Sequence, residues 1–161
     1  RIMDFAGYDP TLSILYQLGL NPDDIYFKFT GIIKLKVGKR TGYGVVTGRT
    51  CYTVVFSHTT GGGKLISSKL ARIDQMRYST VTNADVYIGS HNHALAVAPV
   101  VSMEYDSNHD TTNERVQYLV DAGAYLDWNG SYAEAMQLQP MKIGSPIIQF
   151  SGSDKDINVT L

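Results

Sequence analysis

The chain has 161 residues, 43% of them hydrophobic, which is enough for one ordinary buried core and too little for two comfortable domains. We therefore expect a single domain over residues 1–161. The 14 basic and 15 acidic residues leave a net charge of -1, so no large field draws the chain to nucleic acid or to an anionic membrane.

The sequence also predicts the compartment. No apolar run approaches the ~20 residues that a membrane helix needs, and the first residues lack the basic-then-apolar pattern of a signal peptide. We expect a soluble, cytoplasmic protein.

The chain has one cysteine, Cys51, which lies in a strand-like run, so no disulfide can form within the chain. Because free cysteine is among the most buried residue types, we expect a buried structural thiol.

The first part of the chain gives one helix signal and then strand signals. Asp9-Pro10, followed by apolar residues up to Gly19, predicts a short helix. β-Branched and aromatic residues over positions 25–37, broken at Gly31, predict two strands. The glycine- and cation-rich stretch 39–44 predicts a hairpin or a mobile loop.

The middle of the chain predicts a βαβ crossover. Residues 51–56 form a nearly uninterrupted apolar run, typical of a strand buried on both faces. An amphipathic helix follows over about 64–77, and a second short strand over 85–88. The strands of such a unit run parallel, so their carboxyl ends meet at one edge of the sheet.

The rest of the chain predicts mainly antiparallel β-structure. A strand over 96–105 and an apolar segment over 116–126 flank a polar turn at 107–110. Ser131, with Glu134 three residues later, predicts a brief capped helix. Two short apolar segments, 147–150 and 157–161, predict a closing hairpin.

Three histidines stand where the strands of the crossover end. His58 follows the first strand, and His91 and His93 follow the second. Neutral imidazole binds zinc, manganese or iron, and two imidazoles spaced two apart can serve two neighbouring ions. The pattern predicts a metal site of these three side chains. The alternative is that they cap strand ends or lie on the surface, as we expect of the functionless His109 in its polar turn.

Two motifs carry a resemblance to a known family. Phe56-Ser57-His58-x-x-Gly61 and Gly89-Ser90-His91-Asn92-His93 resemble the last two metal motifs of the calcineurin-like metallophosphoesterases, an isolated histidine after a strand and a strand-ending G-H-x-H. Asp85 matches the acidic residue that often begins the last of these strands. The resemblance covers residues 51–94. It implies a β-rich α/β fold, the C-terminal half of a two-sheet sandwich with one βαβ crossover.

The resemblance also implies an activity. Two divalent ions (Mn, Zn or Fe) would act on a phosphoester substrate, either a phosphomonoester or a phosphodiester. By position, His58 and His91 would share one ion and His93 would contact its neighbour. Such ions, about 3.5–4 Å apart, polarise the phosphoryl oxygens and activate a water for in-line attack.

The sequence departs from the family pattern in two ways. The glycine stands one place early, so that Ser90 precedes His91. The family's earlier motifs, D-x-H, G-D-x-x-D and G-N-H-[DE], are absent, and with them the bridging aspartate and the histidine thought to protonate the leaving group. Because the chain also begins at Arg1 without methionine, we expect a C-terminal fragment whose catalytic residues precede Arg1 and which is inactive alone.

Two further expectations concern partners. Half of a two-sheet sandwich would expose apolar surface and a strand edge, so the fragment is expected to self-associate. The alternative from another class is a non-catalytic β-rich structural or binding module in which the histidines are incidental.

Overall fold

The computed structural model describes residues 10–19, 21, 29–40, 46–61 and 63–161. The chain forms two compact units, Arg1–Gly31 and Ile32–Leu161, which are described separately. The expected single domain over residues 1–161 stays a prediction.

The described part of the first unit contains the predicted helix. Helix α1 spans Pro10–Gln17, and Gly19 follows it with a φ of +68°, a left-handed angle that glycine adopts without strain. The first of the two strands predicted over 25–37 lies outside the described residues. So does most of the loop predicted over 39–44.

Seven strands and two further helices make up the rest of the described chain. In chain order they are β1 (Thr30–Arg40), β2 (Val46–His58), α2 (Ile66–Ser79), β3 (Val86–Ser90), β4 (Leu95–Asp106), β5 (Thr111–Ala122), α3 (Tyr132–Ala135), β6 (Ile147–Phe150) and β7 (Ile157–Thr160). The architecture is β-rich α/β. A mixed five-stranded sheet has the order β1-β2-β3-β5-β4, and β6 pairs with β7 in a separate two-stranded sheet.

The register of the sheet brings three carboxyl ends to one edge. β2 and β3 pair in parallel, from Val54 opposite Val86 to His58 opposite Ser90, as the predicted crossover requires. β5 pairs antiparallel with β4, as expected for this part of the chain. It also pairs in parallel with β3, which the sequence did not predict. The ends of β2, β3 and β5 therefore lie side by side.

Both faces of the central strands are covered, because successive side chains of a strand point to opposite faces. The cluster on the α2 face consists of Val55, Ile73, Met76, Ala84, Tyr87 and Leu119. The cluster on the other face consists of Tyr52, Val54, Val86, Val120 and Ile157, the last from β7. Fully burying a side chain of this size contributes about 1.5–3 kcal/mol, so these two layers hold the sheet edge in place.

One expectation about the core is wrong. Cys51 is exposed and is not a buried thiol. The reason is the face on which it lies: Cys51 shares a face of β2 with Thr53 and Val55, and burial on that face rises only from the half-buried Thr53 to the buried Val55, whereas Tyr52 on the other face is already fully buried. In the described part of the chain, no helix is both long and apolar enough to cross a membrane.

Candidate functional site

The three predicted ligands lie at the carboxyl edge of the parallel strands. His58 is the last residue of β2 and stands opposite Ser90, the last residue of β3. His91 and His93 follow directly in the turn toward β4. The shared edge predicted from the crossover is confirmed, although 33 positions separate His58 from His91.

A direct hydrogen bond joins the first two histidines. His91 Nδ1 lies 2.8 Å from His58 Nε2, and the rings meet edge to face with centroids 4.6 Å apart. His58 Nδ1 lies 3.1 Å from Ser90 Oγ, so both ring nitrogens of His58 have partners. The hydrogen-bonded series Ser90–His58–His91 has two consistent proton arrangements: both hydrogen bonds are donated toward His91, or both are donated toward Ser90.

His93 lies at the same edge but is not part of this hydrogen-bonded series. Its ring centroid is 6.5 Å from that of His91, and the rings are nearly perpendicular. Within the described ranges, no group of three or more His, Cys, Asp or Glu side chains is arranged to hold a metal ion. The three imidazoles therefore lie at one edge of the sheet, but they are not arranged as a complete set of metal ligands.

The turn that carries these histidines has an unusual backbone. His91 and His93 have φ angles of +84° and +55°, in the left-handed region that few non-glycine residues occupy. Ser90 is not among the positive-φ residues, so the serine that precedes His91 has ordinary backbone angles. Residues held in this way cost on the order of 1–3 kcal/mol each and cluster at functional sites.

Buried polar contacts hold that turn against β2. Asn92 is 7% exposed, and its Nδ2 donates to Thr59 Oγ1 at 3.2 Å. Thr59 Oγ1 in turn donates to the Ser90 carbonyl at 2.6 Å. The segments that follow β2 and β3 are thus tied together beneath the histidines.

The early glycine of the second motif has a packing reason. A Cβ built at Gly89 would lie 2.5 Å from Ile73 Cγ1 and 3.0 Å from Thr59 Cγ2. Only glycine therefore lets α2 pack this closely on β3. The glycine is needed at position 89, and Ser90 stands between it and His91.

A buried carboxylate, missed in the sequence, stands at the end of β5. Asp121 is opposite Gly89 of β3 and is fully buried. Burial raises the pKa of its carboxyl, while the amides of Gly123, Asn92 and Ala94 and the charge of Lys69 act to lower it. Neither carboxylate oxygen has a hydrogen bond of standard geometry from a described residue. The sequence signal that could have revealed it is the apolar run Tyr118-Leu119-Val120, which ends at Asp121 with a glycine two residues later.

Asp85, the acidic residue that the sequence resemblance singled out, lies at the opposite end of β3 from the histidines. It is 2% exposed, accepts a hydrogen bond from the Thr53 amide at 2.8 Å, and pairs with Lys155 at 2.9 Å and Arg115 at 3.1 Å. These contacts join β2, β3, β5 and the β6–β7 loop. Its role in the structure is to hold these elements together, away from the histidines.

His109 gives the expected contrast. Its side chain is 77% exposed in the turn between β4 and β5 and pairs with Asp106 at 2.7 Å. That contact holds the pKa of the Asp106 carboxyl below its usual value. The predicted exposure of His109 is confirmed.

A cleft of about 790 Å³ opens beside the histidine edge. His91, Asn92 and His93 line one side, and residues 124–141 contribute much of the rest. A small molecule of ordinary size fits such a volume. Comparison with protein-family models, with curated proteins and with solved structures gives no match for this chain.

Proposed function

We propose that this chain is the C-terminal part of a two-metal phosphoesterase, with His58 and His91 as ligands of one divalent ion and His93 as a ligand of a second. The observation that carries the proposal is the 2.8 Å approach of His58 Nε2 and His91 Nδ1 across the crossover. Two nitrogens able to bind a metal come together there, one at the end of β2 and the other in the turn after β3. The resemblance of the two motifs supplies the reaction class.

The donor set fits such an ion. Two nitrogen ligands on a tetrahedral zinc, each about 2.0–2.1 Å from the metal, lie about 3.4 Å apart. The two imidazoles would therefore separate by a little over half an ångström to exchange their hydrogen bond for a shared ion. Metal-binding histidines usually have a partner on the other ring nitrogen, and Ser90 Oγ provides one for His58.

The described residues supply only part of what the reaction needs. They offer no carboxylate that completes a group with these histidines. In the proposal, the bridging aspartate and remaining ligands belong to the half of the domain that carries the family's earlier motifs. Bound ions would polarise the phosphoryl group and provide hydroxide at neutral pH.

The chain's own residues orient the site. Ser90 fixes the ring of His58, and the Asn92–Thr59 contact holds the turn that presents His91 and His93. The C-terminal half of a two-sheet sandwich is supported by the β6–β7 hairpin, which covers the face of the five-stranded sheet opposite α2.

The metal part of the proposal is tested by calorimetric titration of the 161-residue chain with Zn²⁺ and with Mn²⁺. We expect binding that releases protons and that His58→Ala or His91→Ala weakens by at least about tenfold. The matched control is His109→Ala, which removes an exposed imidazole far along the chain from the site. Equal affinity in all four proteins would reject the histidine site.

The fragment part is tested separately. With metal bound, the chain should not hydrolyse phenyl phosphate or diphenyl phosphate, because the described residues place no bridging carboxylate beside the histidines. Brisk hydrolysis by these 161 residues would contradict it.

Self-association remains part of the proposal. β4 is an edge strand of the sheet, and three alternate side chains on it, Val101, Met103 and Tyr105, are exposed. An exposed apolar edge strand favours pairing with another copy. Strictly monomeric behaviour at high concentration in a sizing experiment would count against this.

One observation favours the non-catalytic module as a second candidate. Both ring nitrogens of His58 already have protein partners, so the site is satisfied without a metal. Under this alternative the chain would show no affinity for divalent ions beyond that of the His91→Ala variant.

A further inference from the structure

The lining of the cleft beside the histidines includes two lysines, Lys64 and Lys69, and two aromatic rings. Lys69, on α2, lines it together with His91 and His93, while Trp128 and Tyr132 line it from the segment after β5. Charged and flat apolar groups thus share one opening. That combination selects a ligand that has both an anionic and an aromatic part.

Lys69 is placed unusually for a lysine. It is only 8% exposed, and its Nζ makes no hydrogen bond or ion pair with any described residue. Its charge acts on the buried Asp121 carboxylate, which is beyond ion-pair contact. A lysine that merely reached for bulk water would be far more exposed. Its Nζ is not fully enclosed by protein, so an anion that enters the cleft can pair with it.

The aromatic wall is fixed before any ligand arrives. Trp128 Nε1 donates to the Leu138 carbonyl at 2.7 Å, which sets the orientation of the indole. The segment between them is closed by the Leu138 amide, which donates to the Ala133 carbonyl at 2.8 Å, and by Ser131, which caps α3. A ring held in this way loses little freedom when another ring stacks on it.

We propose that this cleft binds a small phosphate ester that carries a flat aromatic ring, with Lys69 paired to the phosphate and Trp128 stacked on the ring. The inference rests on the proposed function, because it sets the phosphate in the opening that His91 and His93 line. It adds the substrate class: an ester with an aromatic group close to the phosphate. Binding by Lys69 and Trp128 does not require the metal.

Trp128 is the one tryptophan of the chain, so its fluorescence reports on this wall directly. The metal-free 161-residue chain is titrated in EDTA with phenyl phosphate, phenol, inorganic phosphate and adenosine 5′-monophosphate. We expect a saturable change with phenyl phosphate, and binding at least about tenfold weaker for phenol and for inorganic phosphate. Adenosine monophosphate bound more tightly than phenyl phosphate would identify a nucleotide source, and the reverse order an aryl source; either supports the proposal.

Two variants and a control test the role of Lys69. Lys69→Met should weaken phenyl phosphate binding by at least about tenfold, the change expected for one charge-assisted hydrogen bond, and leave phenol binding unchanged. Lys69→Gln keeps a polar head and should give the same loss, which guards against a folding defect in the first variant. Lys36→Met, on the exposed side of β1, should behave as the parent.

The proposal is overturned if phenyl phosphate binds no more tightly than phenol, or if the Lys69 variants bind it as the parent does. Because the titration is free of metal, its outcome is independent of the histidine site. Metal binding without phenyl phosphate binding would reject the cleft and leave the proposed function in place. The opposite result would reject the metal site and leave the cleft.

Discussion

His58 Nε2 and His91 Nδ1 form a hydrogen bond of 2.8 Å between residues 33 positions apart. The contact follows from the parallel pairing of β2 and β3, which sets His58 opposite Ser90 and leaves His91 one residue beyond it. α2 makes the crossover and packs on β3 and β5, and its Ile73 and Met76 lie in one core cluster with Val55 of β2. The register of the sheet, more than any local loop preference, brings the imidazoles together.

Ser90 is expected to act on metal binding through His58. Ser90→Ala removes the partner 3.1 Å from His58 Nδ1, so the ring is free to turn and to change tautomer. Loss of such an outer contact typically lowers metal affinity 10–100-fold. We expect a change near the lower end of that range, measured by competition with a chelating dye, together with a changed tautomer of His58 in the nitrogen NMR spectrum.

The control for this variant is Ser107→Ala in the exposed turn between β4 and β5. It should change neither quantity. Unaltered affinity and tautomer in Ser90→Ala would show that the serine does not position the ring.

Gly89 is expected to be required for the packing of α2. In Gly89→Ala, the new Cβ would lie 2.5 Å from Ile73 Cγ1, so α2 or β3 must move. Overpacking of this kind costs about 1–3 kcal/mol in the free energy of unfolding. Urea denaturation followed by circular dichroism measures it.

Gly61→Ala is the matched control, since the nearest atom to its Cβ in the described residues would be His91 Nε2 at 3.5 Å, an ordinary contact. Its effect on stability should be small, or slightly favourable through the unfolded chain. Equal losses in the two variants would mean that the contact with Ile73 is not the cause.

Much of the site's scaffold was predictable because its signals are local. The apolar run ending at His58, the amphipathic helix and the short strand before Gly89 each occupy a continuous stretch, and their order dictates a parallel crossover. The capped helix at Ser131 and the closing hairpin are local in the same way, and both are present.

The missed features depend on pairing between distant segments. Asp121 is buried at this edge because β5 runs parallel to β3. The alternation of apolar and polar residues in β5 does not tell whether the strand pairs in parallel or antiparallel with β3. Cys51 was misassigned because only one face of β2 is covered at its level, the face of the buried Tyr52 and not that of Cys51. The left-handed angles of His91 and His93 follow from the turn that joins β3 to β4, which no composition rule anticipates.

Asp85 is expected to matter for stability and not for the histidine site. Asp85→Asn removes the charge that pairs with Lys155 and Arg115 and weakens the bond from the Thr53 amide. Hydrogen bonds to a charged group contribute about 1.5–3 kcal/mol, so a loss of that order is expected in urea denaturation. Metal affinity should be that of the parent, because Asp85 lies at the opposite end of β3. A weaker metal affinity in a variant that remains folded would contradict this assignment.

Asp121 is expected to make the stability of the chain depend on pH. Burial raises the pKa of its carboxyl, so the ionised form is less favourable in the folded chain than in the unfolded one. The contribution of the neutral acid is fully present below the ordinary value of about 3.9 and is lost as the pH rises through the folded value. Asp121→Asn keeps the shape of the neutral acid. It should therefore be more stable than the parent at neutral pH and approach the parent's stability near pH 4, as thermal denaturation across this range would measure.

Asp127→Asn, which changes an exposed carboxylate, should follow the parent at every pH. If the two Asn variants show the same pH profile, the buried carboxyl of Asp121 does not set this dependence.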